Sequence, residues 1–183
     1  KIYLTFDELE AIENKVFEFD NILMLTFSRF TRDDFMNKID TYGGKLINKN
    51  SVKTIDKFAR QVIDPDGAID VSLLSYRLMI YLEETDPITL RIHQMLSKIK
   101  IVFIDEAQDL NEIQYKIFVA LKDKLGISVN MIGDPNQNIY QFRNSSDKFL
   151  TEFVAIEFQL TRNFRSYLPI VDFSKHLRPF NEN

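Results

Sequence analysis

Asp105 and Glu106 stand side by side at the end of the apolar run Ile101-Val102-Phe103-Ile104, with Gln108 and Asp109 close behind. Adjacent carboxylates can hold Mg²⁺ through one oxygen or a bound water while the second acts as base toward an attacking water. That makes Asp105 a candidate metal ligand and Glu106 a candidate catalytic base. The plain reading of the same pair is a solvated acidic strand end that caps the next helix, and taken alone the pair supports both. A second run, Gly133-Asp134-Pro135-Asn136-Gln137, sets a glycine turn before Gln137, a neutral donor and acceptor able to touch a terminal phosphate and the attacking water together. Tyr140 and Phe142 flank the cationic Arg143. Aromatic and cationic groups in that order suit stacking on bases and pairing with phosphate, although one of the two rings is expected in the core. In Thr161-Arg162-Asn163-Phe164-Arg165, Arg165 can neutralise charge on a transferred phosphoryl group and Phe164 can stack on an adenine ring. A lone arginine after a strand is otherwise a surface residue.

These residues need elements to position them. A short all-apolar run closing on acids reads as a buried strand whose C-terminal tip reaches the edge of a cleft, the edge at which α/β sheets bind ligands. Similar runs are predicted over 22–27, 127–132 and 153–160, and 51–58 reads as a short strand passing into a helix. Between them the apolar spacing of three and four predicts amphipathic helices: 6–19, one carrying Phe35, Met36 and Ile39, and one through Phe58 and Val62. Further helices are expected over 72–83 and after Asp86, with Pro87 at the first position and Ile88, Ile92, Met95 and Leu96 buried. Asn111 can cap another, with the stripe Ile113, Ile117, Phe118, Leu121 and Leu125 and Gly126 as its stop. A short helix is expected over 136–142 and a last one from Ser166 with Leu168, Ile170, Val171 and Phe173 inside. Strand and helix alternate, so the expected class is α/β with a mostly parallel sheet. Polar residues gather at the strand ends: Thr26 to Arg29, Thr54, Asp105 to Asp109, Gly133 to Gln137, and Asn163 to Arg165.

Composition narrows the classes. At 183 residues and 45% apolar, the chain can bury one substantial core, and a net charge of -4 carries no global signature of a nucleic-acid binder, so such a partner needs a local patch. Cysteine is absent, which excludes disulfides and thiolate metal sites, and His93 and His176 lack a metal-ligand spacing. No apolar run approaches the roughly 20 residues that span a bilayer. The first eight residues are too acidic for a signal peptide, and a cytoplasmic protein is expected.

From about residue 22 to 166, the chain resembles the first motor lobe of superfamily 1 DNA helicases of the UvrD/Rep/PcrA type, with the motifs in the family's order. Ile22 to Arg29 is similar to motif Ia, Val52 to Phe58 to motif Ib, Val102 to Asp109 to motif II (Walker B), Gly133 to Arg143 to motif III and Leu160 to Ser166 to motif IV. The resemblance implies a RecA-like P-loop NTPase fold and ATP and Mg²⁺ as cofactors, with Asp105 on Mg²⁺ and Glu106 activating water. It further implies that Gln137 senses the γ-phosphate and that Arg165 is the arginine finger, with Phe164 and Asn163 beside the nucleotide. Single-stranded DNA is the implied partner of Thr26, Phe27, Thr54, Phe142 and Arg143, and Tyr140 of the coupling between the two sites. The implied activity is ATP-driven movement along that strand, 3′ to 5′.

The departures from the family are specific. No Gly-x-x-x-x-Gly-Lys-[Ser/Thr] phosphate cradle occurs in the sequence, and the expectation is a fragment that starts just past it and completes its site with the rest of a helicase chain, the isolated fragment being inactive. Asp56 stands where motif Ib usually has histidine, and Asn144 where glycine usually follows the motif III arginine. The expected layout is motor lobe 1A over 1–58 and 99–157, a short helical insert over 59–98 in place of subdomain 1B, and the start of lobe 2A over 158–183. The competing class is a catalytically inactive helicase-like lobe kept as a nucleic-acid or protein interaction module. A two-metal nuclease on Asp105, Glu106 and Asp109 is a third reading.

Overall fold

The computed structural model describes residues 21–39, 41, 49–64, 66–84, 87–137, 146, 148–153, 155–160 and 166–175. Among the described residues, four strands form one all-parallel sheet in the order β2-β1-β3-β4: β1 (Ile22–Thr26), β2 (Val52–Thr54), β3 (Ile101–Ile104) and β4 (Ser128–Met131). Parallel neighbours need a crossover, and helices supply it: α1 (Arg29–Lys38), α2 (Ile55–Ile63), α3 (Val71–Glu83), α4 (Pro87–Leu96) and α5 (Glu112–Leu125). Two short helices follow, α6 (Lys148–Thr151) and α7 (Leu168–Lys175). The expected α/β class with a RecA-like parallel sheet is what the chain adopts.

The register aligns the strand ends. Thr26 pairs with Thr54, Leu25 with Ile104, and Ile104 with Met131, so Thr26, Thr54, Asp105 and Ile132 reach one edge of the sheet together. Helix starts are written in the sequence. Ser28, Thr54 and Asn111 each accept a backbone N–H from the first turn of the helix they precede, at 2.9, 3.2 and 2.9 Å. Asn111 and Gln114 complete a reciprocal capping box, and Gly126, with φ 62°, closes α5 in the left-handed conformation that glycine tolerates best.

The core lies between the sheet and its helices. Leu25, Ile101, Val102 and Ile104 are fully enclosed, as are Leu74, Leu78 and Leu82 of α3 and Phe118 and Leu121 of α5. The helices of the 59–98 stretch therefore share this core, with α3 packed on α2 and α5.

Several expectations change. Among the described residues of 153–160 no strand forms: Phe158 makes an isolated bridge, and Ile156, Phe158 and Leu160 are exposed. An apolar alternation makes a strand only where a sheet edge answers its backbone groups, and no such edge is taken up there. Met95 is exposed while Ile92 and Leu96 are buried, because an α-helix of this length turns only part of its apolar set inward. In α7 the side chains of Leu168, Ile170 and Phe173 are exposed rather than interior. A stripe's spacing does not say which surface will cover it. The expected helix over 136–142 is a single 3₁₀ turn, Pro135–Gln137, as far as the described residues go. The helix over 6–19 lies outside them.

Candidate functional site

The acid turn is tied to both neighbouring strands. The Asp105 N–H donates to the Leu25 carbonyl (3.0 Å), the Ala107 N–H to Ile132 (2.9 Å), and the Ile132 N–H to Ile104 (2.8 Å). Among the described residues, Glu106 is the only non-glycine with positive φ, at 53°. A left-handed glutamate is a sparsely populated conformation with a cost of order 1–3 kcal/mol, and here it swings the chain from β3 into the 3₁₀ turn Ala107–Asp109 with the Glu106 side chain exposed.

Two further polar groups lock the side chains. Gln108, 2% exposed, donates from Nε2 to Glu106 Oε2 (2.6 Å) and accepts the Asp134 N–H at Oε1 (3.1 Å). Asp134 in turn accepts the Gln137 Nε2 (3.0 Å) at Oδ2 and the Asn136 N–H (3.0 Å) at Oδ1. Gly133 makes room for this. A Cβ there would lie inside contact distance of Gln108 Oε1 and 3.1 Å from the Ala107 nitrogen.

Among the described residues, the electrostatics are those of crowded carboxylates with little positive charge set against them. Burial, and then the neighbouring Glu106, push the Asp105 carboxyl above its usual value, against weaker pulls from the Glu106 N–H and Lys38. Asp109 is pushed up to about 6 by burial and by Glu106, and its Oδ1 is enclosed with no hydrogen-bond partner among the described residues. Mg²⁺ typically takes one or two protein carboxylates and completes its shell with water and phosphate. Asp105 with Glu106 fits that kind of site, and a cation there would answer the like charges. Among the described residues no three metal-ligating side chains converge, so the two-metal nuclease reading lacks its ligand set.

Along the same edge, the tips of β1 and β2 open into a cavity of about 540 Å³ lined by Phe27, Thr54, Arg29, Arg32, Lys57 and Arg60, with Asp56 also on its wall. Four cations thus line one cavity on an acidic chain, with Arg32 paired to Asp33 and Arg60 to Asp64. Thr26 is fully buried and its hydroxyl donates to the Ser28 carbonyl (3.2 Å), so it holds the turn that presents Phe27 and Arg29. Thr54, 9% exposed, caps α2. Burial raises the Asp56 carboxyl, against a pull from Arg60.

The structure thus brings Asp105, Glu106 and Gln137 together at one end of the edge and Phe27 and Thr54 at the other. Tyr140, Phe142, Arg143, Asn163, Phe164 and Arg165 lie outside the described residues. Sequence reasoning gave Gly133 only the turn before Gln137, and assigned no role to Gln108 or Asp134 or to the four cations of the cavity. A signal for the cations was present: Arg29 with Arg32 and Lys57 with Arg60 repeat an i, i+3 spacing just after two helix caps. No comparable signal marks Gln108, whose role depends on the approach of β4.

A protein of Acanthamoeba polyphaga mimivirus provisionally named as an ATP-dependent DNA helicase is 38% identical over 92% of this chain, which spans 25% of that protein. The RecBCD enzyme subunit RecB of Borreliella burgdorferi is 34% identical over 67% of this chain and DNA helicase II of Haemophilus influenzae 34% over 62%, the matches covering 10% and 16% of those proteins. The chain therefore spans a quarter or less of the length of these relatives. Among the described residues, no helix is long and apolar enough to cross a membrane. The family model for the UvrD/REP helicase N-terminal domain matches residues 63–155, just over half of the chain and the part that carries the acid turn and β4. The chain belongs to the UvrD/REP helicase family.

Proposed function

We propose that this chain forms part of an ATP-dependent DNA helicase or translocase, in which it supplies the acid wall of the nucleotide site and part of the track for single-stranded DNA. The observation that carries this reading is the linkage of Glu106 to the turn bearing Gln137, at the edge where the cationic cavity also opens. Asp105 is the Mg²⁺ ligand and Glu106 accepts a proton from the attacking water, while Gln137 orients that water and contacts the γ-phosphate. Asp105, with Glu106 beside it, would hold Mg²⁺, and the ion would supply positive charge against the charge that develops on the transferred phosphoryl group. Arg165 serves as the finger, with Phe164 and Asn163 beside the nucleotide.

On the other half of the edge, Arg29, Arg32 and Lys57 hold backbone phosphates while Phe27 packs on a base, with Thr54 and the buried Thr26 shaping the turns between them. Phe142 and Arg143 extend the DNA track, and Tyr140 couples it to the nucleotide. The layout that goes with this reading is lobe 1A over 1–58 and 99–157, an insert over 59–98, and the start of lobe 2A from 158, with the rest of a helicase chain as partner. Movement is 3′ to 5′ and the protein works in the cytoplasm.

The test is ATP turnover by the full-length protein with and without single-stranded DNA, compared with Glu106→Gln. DNA-stimulated turnover is expected to fall by about 10²- to 10⁴-fold in the variant, the usual contribution of a positioned base. Wild-type turnover in Glu106→Gln would defeat the role given to the base. Tight DNA binding with no turnover in the parent would instead favour the inactive interaction module.

A further inference from the structure

We propose that Gln108 is a positioning residue that sets Glu106 and Gln137 as one unit. The inference rests on the roles given above to those two side chains. Gln108 lies between them in a continuous chain of hydrogen bonds: Glu106 Oε2 accepts from Gln108 Nε2 (2.6 Å), Gln108 Oε1 accepts the Asp134 N–H (3.1 Å), and Asp134 Oδ2 accepts from Gln137 Nε2 (3.0 Å).

Its burial separates Gln108 from an ordinary surface amide. At 2% exposure it is enclosed where Glu106 and Gln137 are both exposed, so the two reactive side chains project from a rigid link. A primary amide suits the place because it donates at one end and accepts at the other. A carboxylate or an ammonium at this position would satisfy only one of the two neighbours. Gly133 belongs to the same device, since a Cβ there would meet Gln108 Oε1. The link also explains how the left-handed Glu106 is held: its carboxylate is anchored on the β4 side as its backbone turns away from β3. Movement of the β4 turn on contact with phosphate is transmitted through Gln108 to the base.

The experiment uses the full-length protein and two variants. Gln108→Met keeps the volume and removes both hydrogen bonds; Gln108→Glu keeps the acceptor for the Asp134 N–H and loses the donor to Glu106. Steady-state ATP turnover is measured for each, alone and combined with Gln137→Ala, beside Glu106→Gln and a thermal melt. We expect kcat to fall by about 10²-fold, the scale of a reacting group misplaced by an ångström, with KM for ATP within about twofold. Gln137→Ala should cost far less in the Gln108→Met background than in the wild type, because residues acting as a unit are not additive. Unchanged kcat in both variants overturns the proposal, as do fully additive losses or losses in kcat and KM that follow the melting temperature. If Gln108→Met does not fold, Gln108→Glu decides alone. Inactive Glu106→Gln beside fully active Gln108 variants removes this inference and leaves the functional reading standing; active Glu106→Gln removes both.

Discussion

Among the described residues, the turns after α2 and after β3 both draw acids away from solvent, and they treat them in opposite ways. After α2, Asp64 is enclosed and every oxygen is answered: Oδ1 accepts the Ala68 N–H (2.9 Å), and Oδ2 accepts the Ile69 N–H (2.8 Å) and the Arg60 guanidinium (2.6 Å). Burial alone would raise this carboxyl, but those backbone N–H groups and Arg60 outweigh it and hold Asp64 below its ordinary value. After β3, Asp105 and Asp109 are both raised by burial and by Glu106, and Asp109 Oδ1 has no partner among the described residues. The first turn answers its own charge and serves the fold. The second leaves charge unanswered, as a site does when the compensating cation belongs to a ligand.

The largest effect should come from breaking the answered turn. Asp64→Ala leaves the Arg60 guanidinium and the Ala68 and Ile69 N–H groups without their shared acceptor, in a turn that anchors the start of α3. A thermal melt at pH 7 should show a fall of about 5–10 °C. The sign of its pH dependence follows from the lowered carboxyl. Stability from Asp64 is fully present above the ordinary value of 3.8 and is lost as pH falls through the lower folded value. Any effect of Asp64→Ala on ATP affinity beyond that loss would mean the two turns are not as separate as their chemistry suggests.

Gly133→Ala comes next, because it strikes the acid turn through its packing rather than its charge. The added methyl meets Gln108 Oε1, the Ala107 nitrogen and Leu150 Cδ2, the last two at 3.1 Å. Overpacking of this kind costs about 1–3 kcal/mol, and the displaced Gln108 should carry turnover down with it. The comparison predicts that Gly133→Ala loses more activity for each degree of melting temperature than Asp64→Ala does. Equal ratios would mean that turnover reports only on folding.

How much of this was legible in the sequence follows from the range of the interactions involved. The Asn111 cap and the Gly126 stop act within one turn of chain, and the structure places each as its local pattern predicts; Ser28 and Thr54 cap helices by the same short-range rule without having been picked out as caps. The common edge was legible too, since a parallel sheet fixes which strand ends meet. Thr26 shows the limit. Its place at a strand tip was readable, but its burial was not, because that depends on β2 pairing at Thr54. Gln108 was unreadable for the same reason: its partner nitrogen lies 26 residues away on another strand end. Residues 153–160 and α7 carry apolar patterns whose covering surface no local rule names.

The smallest and most discriminating effect is expected at Asp109. Its folded value, about 6, lies above the ordinary 3.8, so between those values the folded protein binds more protons than the unfolded chain. Stability contributed by this group therefore falls as pH rises from 3.8 through about 6 and stays low above it. Asp109→Asn removes the charge and should raise the melting temperature at pH 8 in chelator by about 2–4 °C for each kcal/mol relieved. The gain should shrink as pH drops below 6 and vanish near 3.8, where the aspartate is protonated in both states. Adding Mg²⁺ and nucleotide should narrow the gap at pH 8, because a cation beside Asp105 and Glu106 weakens the repulsion that raises Asp109. A variant less stable than the wild type at pH 8 in chelator would show that the carboxylate is already answered within the protein. The contrast with Asp64 would then no longer mark the acid turn as a ligand site.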